Sequence, residues 1–219
     1  MKLPVTPAAV RSVVLETYLL FLKLSRYQTE PPRTVKSLIA FSKQRPGEVI
    51  YGSSGVGTTV HLSGALFEYM TGVKWLHVPY KGAGPALIDM LGGQFSLYFG
   101  NMPSVIGYAR QGKLNAIATT GAKRSPATMD IPTVAESGVP GYEVTTWYGS
   151  SAPAKTPRAI VDKLAADYGK VLRSKEVTER LLKEGIVASA STPEEFGAFI
   201  AREIEVARKI VAQAGIKVE

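Results

Sequence analysis

Hydrophobic and polar positions change their rhythm along this chain. Residues 7–27 are apolar on nearly every side: Val10, Val13, Val14, Thr17, Phe21 and Leu24 share one helical face, and Leu15, Leu19, Leu20 and Leu22 fill much of the rest. At helical spacing this predicts a helix that needs burial on several sides. A polar break from Arg26 to Arg33, ending in Pro31-Pro32, reads as a linker. Thr34 then caps a helix to about Arg45, with Val35, Leu38, Ile39 and Ser42 at helical spacing and Pro46-Gly47 as its stop.

From residue 48 the pattern alternates. Val49, Ile50 and Tyr51 are strand formers, Gly52-Ser53-Ser54-Gly55-Val56-Gly57 is a turn, and Leu62, Ala65, Leu66, Tyr69 and Met70 recur at i, i+3, i+4, i+7 and i+8 behind Thr58. The same construction follows at 75–80, 81–85 and 86–91, and again at 95–99, 100–104 and 105–109. Pro85 and Pro103 stand where helices begin, where a missing N–H costs nothing. Right-handed crossovers in one parallel sheet would set all these turns along its carboxyl edge, with their helix N-termini at one cleft. Such a place suits a carboxylate, a phosphate or another anion.

A further strand is expected over 114–120, loop over 124–132, a helical turn over 134–137 and a long strand over 142–151. Beyond Ala152-Pro153-Ala154-Lys155-Thr156-Pro157 the pattern is helical only, over about 157–173, 175–185 and 193–214, the last opened by Thr192-Pro193-Glu194-Glu195. Its apolar stripe, Phe196, Phe199, Ile200, Ile204, Ala207, Val211 and Ala214, packs either on the same sheet or on something outside the chain. The fold class is therefore α/β. The chain divides into a helix and linker at 1–31, an α/β segment at 32–144, and a strand with helices at 145–219.

Composition narrows the chemistry. The chain has 219 residues, 45% hydrophobic and 20% charged, which is ordinary for a globular protein. The formal charge of +8 is spread out, without the interleaved aromatics of a nucleic-acid groove, so no nucleic-acid partner is implied. Absence of cysteine removes disulfides, zinc–thiolate sites and thiol nucleophiles. No run approaches the roughly 18 apolar residues of a membrane span. Residues 10–24 come nearest, but Arg11, Glu16 and Lys23 interrupt them, and they make a poor signal peptide.

Candidate residues each have a plain structural reading beside a functional one. Ser53, Ser54, Gly55, Gly57, Thr58 and Thr59 form a tight turn and helix cap, or an anion site. Lys81, with Gly82, Ala83 and Gly84, lends charge to a carboxylate or is merely solvated. Asn101, ahead of Pro103 and Ser104, is a directional donor at a strand end or holds its own turn. His61 and His77 lack cysteine or acidic neighbours at ligand spacing, so no metal or other cofactor is implied; both read as structural, with His61 a minor candidate for ligand contact. Trp147 and Tyr148 are core packing or a stacking platform, or hinge packing on the resemblance given below. Enzyme motifs fail on spacing: Gly52-Ser53-Ser54-Gly55 is not G-x-S-x-G, and Gly55-Val56-Gly57-Thr58-Thr59 lacks the Gly-Lys of a phosphate loop. No carboxylate pair suggests acid/base roles.

Taken together, Tyr51-Gly52-Ser53-Ser54-Gly55-Val56-Gly57-Thr58 with His61-Leu62, His77-Val78-Pro79-Tyr80-Lys81-Gly82, Leu91-Gly92-Gly93-Gln94, Asn101-Met102-Pro103-Ser104, Ile131-Pro132-Thr133-Val134-Ala135-Glu136-Ser137-Gly138 and Trp147-Tyr148-Gly149 resemble the Bug family. These are the TctC-type substrate-binding proteins of tripartite tricarboxylate transporters. The resemblance runs from about residue 32 to the end. It implies a two-lobed periplasmic binding protein of Venus-flytrap type, which captures a small carboxylate (a di- or tricarboxylate, an acidic amino acid or an aromatic acid) and passes it to a membrane permease. On this reading 32–144 is the second, substrate-binding lobe, 145–219 returns to the first lobe, and the candidates named above hold the ligand. The family's signal peptide and the rest of its first lobe are not recognised, and 1–31 do not look like its crossing strand. The rival readings are a truncated remnant that acts as a protein-interaction or oligomerisation module, and an anion-dependent enzyme such as a phosphotransferase.

Overall fold

Residues 10–15, 17–22 and 31–216 are described by a computed structural model. It corrects the helix expected over 7–27: the described part is two strands, β1 (Val10–Leu15) and β2 (Thr17–Leu22). A short run that is apolar all round has no periodicity to separate helix from strand, and Val10, Val13, Val14, Thr17, Tyr18 and Phe21 favour a strand. Such a run suits a strand in the middle of a sheet, covered on both faces. Both strands have a neighbour on either side, each in a different sheet. The chain therefore crosses between sheets here, as 1–31 were not expected to do; the rest of that helix and most of the linker lie outside the described residues.

The larger sheet has the order β4-β3-β5-β2-β6, with β3 (Ile50–Ser53), β4 (Leu76–Pro79), β5 (Leu97–Asn101) and β6 (Leu114–Thr119). β3 is parallel to β4 and β5, whereas β2 is antiparallel to both β5 and β6. The sheet is thus parallel-rich but mixed, since the unforeseen β2 is inserted between two strands that run the same way.

Helices α1 (Val35–Gln44), α2 (Thr59–Thr71), α3 (Ala83–Leu91) and α4 (Met102–Arg110) accompany this sheet. Thr34 caps α1 as its sequence predicts, in a reciprocal box with Ser37. Tyr51, Phe67, Trp75, Phe95, Tyr98, Phe99 and Tyr142 are the buried aromatic side chains of the core. Gly64 lets α2 press onto β3, where a Cβ would stand 2.5 Å from the Tyr51 ring.

The smaller sheet has the order β7-β1-β8, with β7 (Thr146–Ser150) and β8 (Ile186–Ala188) both antiparallel to β1. Around it lie α5 (Arg158–Leu172), α6 (Lys175–Lys183) and α7 (Pro193–Gln213), close to the helices expected. The strand expected over 142–151 contracts to β7, and 134–137 is a turn whose neighbour Thr133 bridges to Thr119. β8 is too short to show a period of its own. Helix α7 packs Phe196 against Trp147 of β7 at its start and buries Ile210 in the core of the larger sheet near its end. Its apolar stripe therefore serves both sheets.

Candidate functional site

Ser53 stands in register with Pro79, so the carboxyl ends of β3 and β4 lie side by side, and that of β5 is on the same edge. Helices α2, α3 and α4 start from these ends. The first N–H groups of a helix have no acceptor within it. At α2 the Thr58 hydroxyl accepts from the N–H of His61, which leaves those of Thr59 and Val60 at the front. Helix α3 begins at Gly82, whose φ of +116° suits glycine and which has no side chain to cap with. Helix α4 begins at Asn101, which makes no capping bond, and Pro103 and Ser104 form its first turn.

Inside the first turn the hydrogen bonds differ from expectation. Gly55 donates its N–H to the buried Ser53 hydroxyl at 3.2 Å, and Gly57 donates to Nδ1 of His61 at 3.1 Å. These two amides face the protein, not the cleft edge, and no local pattern marks that orientation. The amides of Ser54 and Val56 make no hydrogen bond among the described residues. Thr58 closes the turn by donating its hydroxyl to the Gly55 carbonyl at 2.7 Å.

Beneath the turn, the rings of His61 and His77 stack 4.1 Å apart and 4° from parallel, and Tyr51 lies against His77 at 4.7 Å. His77 Nε2 is 2.7 Å from the Ser53 hydroxyl. Burial lowers the pKa of both histidines; that of His77, lowered further by the charge of His61, falls to about 4.

The second turn is laced to the first: Tyr80 donates its N–H to the Ser53 carbonyl at 2.9 Å, and Gly82 donates to that of Ser54 at 3.2 Å. Lys81 is exposed, and Ala83 and Gly84 open α3. At the third turn, Asn101 accepts from the Thr146 hydroxyl at 3.1 Å and donates to the Tyr148 hydroxyl at 3.4 Å. Its side chain is occupied in joining the end of β5 to β7. Trp147 meets Phe196 and Phe199 edge-on at 5.5 Å.

A cavity of about 490 Å³ opens beside the first turn, lined by Gly57, Thr59, Trp147, Arg202, Glu203 and Ala207 among others. Arg202 and Glu203 carry no mark of a site in the sequence, because alternating charges on a helix resemble a solvated face. Burial pushes the Glu203 carboxyl above its usual range, against a hydrogen bond from Trp147. Among the described residues no group of three or more His, Cys, Asp or Glu is placed to hold a metal ion, and no helix is long and apolar enough to cross a membrane.

A parallel-rich α/β sheet with helix starts along one edge, joined to a second sheet by crossing strands, is the architecture of periplasmic binding proteins. The chain belongs to the tripartite tricarboxylate transporter family receptors, whose sequence profile matches residues 14–216 and so takes in most of the crossing segment. It is 36% identical over 186 residues to BugT of Bordetella pertussis, covering 85% of this chain and 57% of that protein. It is 32% identical over 182 residues to a protein from the tcbD-tcbE intergenic region of Pseudomonas sp. strain P51, covering 83% of this chain and 54% of that one. The structure of R. palustris Rpa4515 with adipate superposes with a TM-score of 0.88 at 35% identity, covering 94% of this chain and 68% of that chain. MatC from Rhodopseudomonas palustris with bound malate superposes with a TM-score of 0.82 at 26% identity, covering 94% and 69%. The chain spans little more than half the length of these curated relatives.

Proposed function

We propose that this protein is the solute-binding component of a tripartite transporter, working in the periplasm, where it captures a small carboxylate without chemistry and presents it to a membrane permease. The observation that carries this reading is the alignment of three helix starts on one sheet edge, two of them without a side-chain cap. Neighbours of the same fold, solved with adipate and with malate, support an acid as the ligand.

On this reading the amides of Ser54, Val56 and Thr59, the hydroxyls of Ser54, Thr59 and Ser104, and the positive ends of the helices meet the carboxylate oxygens. Lys81 adds a screened charge from outside. Asn101 sets the geometry where the sheets meet, and residues 145–150 act as a hinge strand when the cleft closes. The longer relatives carry additional chain, and it would complete the selection among acids.

Thermal unfolding against a panel of di- and tricarboxylates, acidic amino acids and aromatic acids tests the reading, since a ligand that binds only the folded chain raises its midpoint. A saturable rise with one acid is expected. A cooperative transition that no acid moves would remove the receptor function from this chain.

A further inference from the structure

We propose that His61 and His77 are positioning residues for the carboxylate-facing turn: they draw the N–H groups of Gly55 and Gly57 inward and so leave those of Ser54 and Val56 facing the ligand. For its ligand readout this rests on the receptor reading above; for its geometry it does not.

The contacts form two short chains. In one, Gly57 donates to His61 Nδ1 at 3.1 Å, which requires that nitrogen to be the acceptor and puts the ring proton on Nε2. In the other, His77 Nε2 lies 2.7 Å from the Ser53 hydroxyl, and that oxygen accepts the Gly55 N–H at 3.2 Å. Gly55 and Gly57 have φ of +136° and +76°, the left-handed conformations by which a turn reverses successive amides. The inward pair alternates with the outward pair, so losing either histidine contact frees the turn to rotate the amides between.

The proton state of His61 is fixed by the same geometry, whereas the Ser53 hydroxyl also donates to the Gly55 carbonyl at 3.2 Å and so can accept a hydrogen bond from His77 Nε2. In an imidazolium both ring nitrogens are donors, so a charged His61 would set donor against donor at Gly57. The groups around the pair are few. His61 comes from α2, His77 from β4, and Tyr51 and Ser53 from β3; Tyr51 is held as a neutral phenol by burial and by the Glu68 carboxylate. Two parallel rings 4.1 Å apart do not both accept a proton, and burial disfavours the first. The Gly57 end of the turn is therefore held by a neutral His61 and released by acid.

Amide side chains test this by position, because Asn can place an acceptor where imidazole has Nδ1, and Gln where it has Nε2. The variants are His61→Asn, His61→Gln, His77→Gln and His77→Asn. The primary readout is exchange and chemical shift of the Gly55 and Gly57 amide protons from pH 8 to pH 4, with no ligand present. The Gly57 amide is expected to stay protected in wild type and His61→Asn, to exchange roughly tenfold faster in His61→Gln, and in wild type to titrate below the ordinary histidine value. Gly55 is expected to follow the same order for His77→Gln and His77→Asn. Equal exchange in the Asn and Gln variants, with no pH dependence in wild type, would overturn the proposal. Should the histidine variants not fold, Ser53→Ala removes the Gly55 acceptor together with the partner of His77; faster Gly55 exchange with Gly57 still protected is expected, and unchanged Gly55 exchange would overturn the proposal. With adipate or malate as probe, a roughly fivefold loss of apparent affinity in His61→Gln but not in His61→Asn is expected. A wild type that neither acid stabilises counts against the receptor reading alone.

Discussion

The side-chain oxygen of Asn101 accepts a hydrogen bond from the Thr146 hydroxyl at 3.1 Å, which fastens the last residue of a strand in one sheet to the first residue of a strand in the other. Asn101→Asp keeps this acceptor but gives up the donation to Tyr148, and it adds a negative charge at the start of α4. The charge suits the helix dipole and opposes an anionic ligand. Melting of the free variant is expected within about 0.5 kcal/mol of wild type, and its response to a bound acid is expected to vanish. An acid response equal to wild type would place the anion elsewhere.

The stacked histidines make stability depend on pH. Their folded pKa values lie below the ordinary 6.5, so the unfolded chain binds more protons between the two values. Their contribution is complete above about pH 6.5 and is lost as pH falls towards about 4, the folded value of His77. Glu68, whose pKa burial raises, opposes this trend, so the comparison needed is wild type against His77→Gln. The difference between their unfolding free energies should shrink from pH 7 to pH 4; a constant difference would contradict the assignment.

Trp75 donates its indole N–H to the fully buried Ser42 hydroxyl at 2.8 Å. Ser42→Ala leaves that donor without a partner in the core, at an expected cost of about 1–3 kcal/mol in denaturant unfolding. Trp75→Phe should cost less in the Ser42→Ala background than in wild type, and a double-mutant cycle measures the coupling. Strict additivity would mean that the bond contributes nothing.

Gly149 lies directly beneath the Phe196 ring, so a Cβ there must displace the aromatic. Gly149→Ala is expected to cost about 1–3 kcal/mol by overpacking, and adding Phe196→Leu should recover part of it. A neutral Gly149→Ala would show that α7 lifts from β7 freely.

Legibility in the sequence followed the range of the interaction. The Thr34 and Thr192 caps and the three strand–turn–helix units are local, and each is written within a few residues. β1 and β2 are not legible locally, because an all-apolar run fits a helix and a central strand alike; what decides between them is the strand's partners, which lie far along the chain. The site divided in the same way. Its backbone turns were visible, but the inward rotation of Gly55 depends on His77, which reaches Ser53 from 24 residues away. Arg202 and Glu203 come to the cavity from the last helix, and no local pattern marks them.

The double seating of α7 has a calorimetric consequence. A helix that buries Phe196 beside one sheet and Ile210 beneath the other cannot leave either core without uncovering both. The two sheets should therefore melt as one unit, with calorimetric and van't Hoff enthalpies in agreement. Deep truncation at Ile210→Ala should lower that one transition without splitting it, so that damage to the larger core is felt at the far end of the molecule.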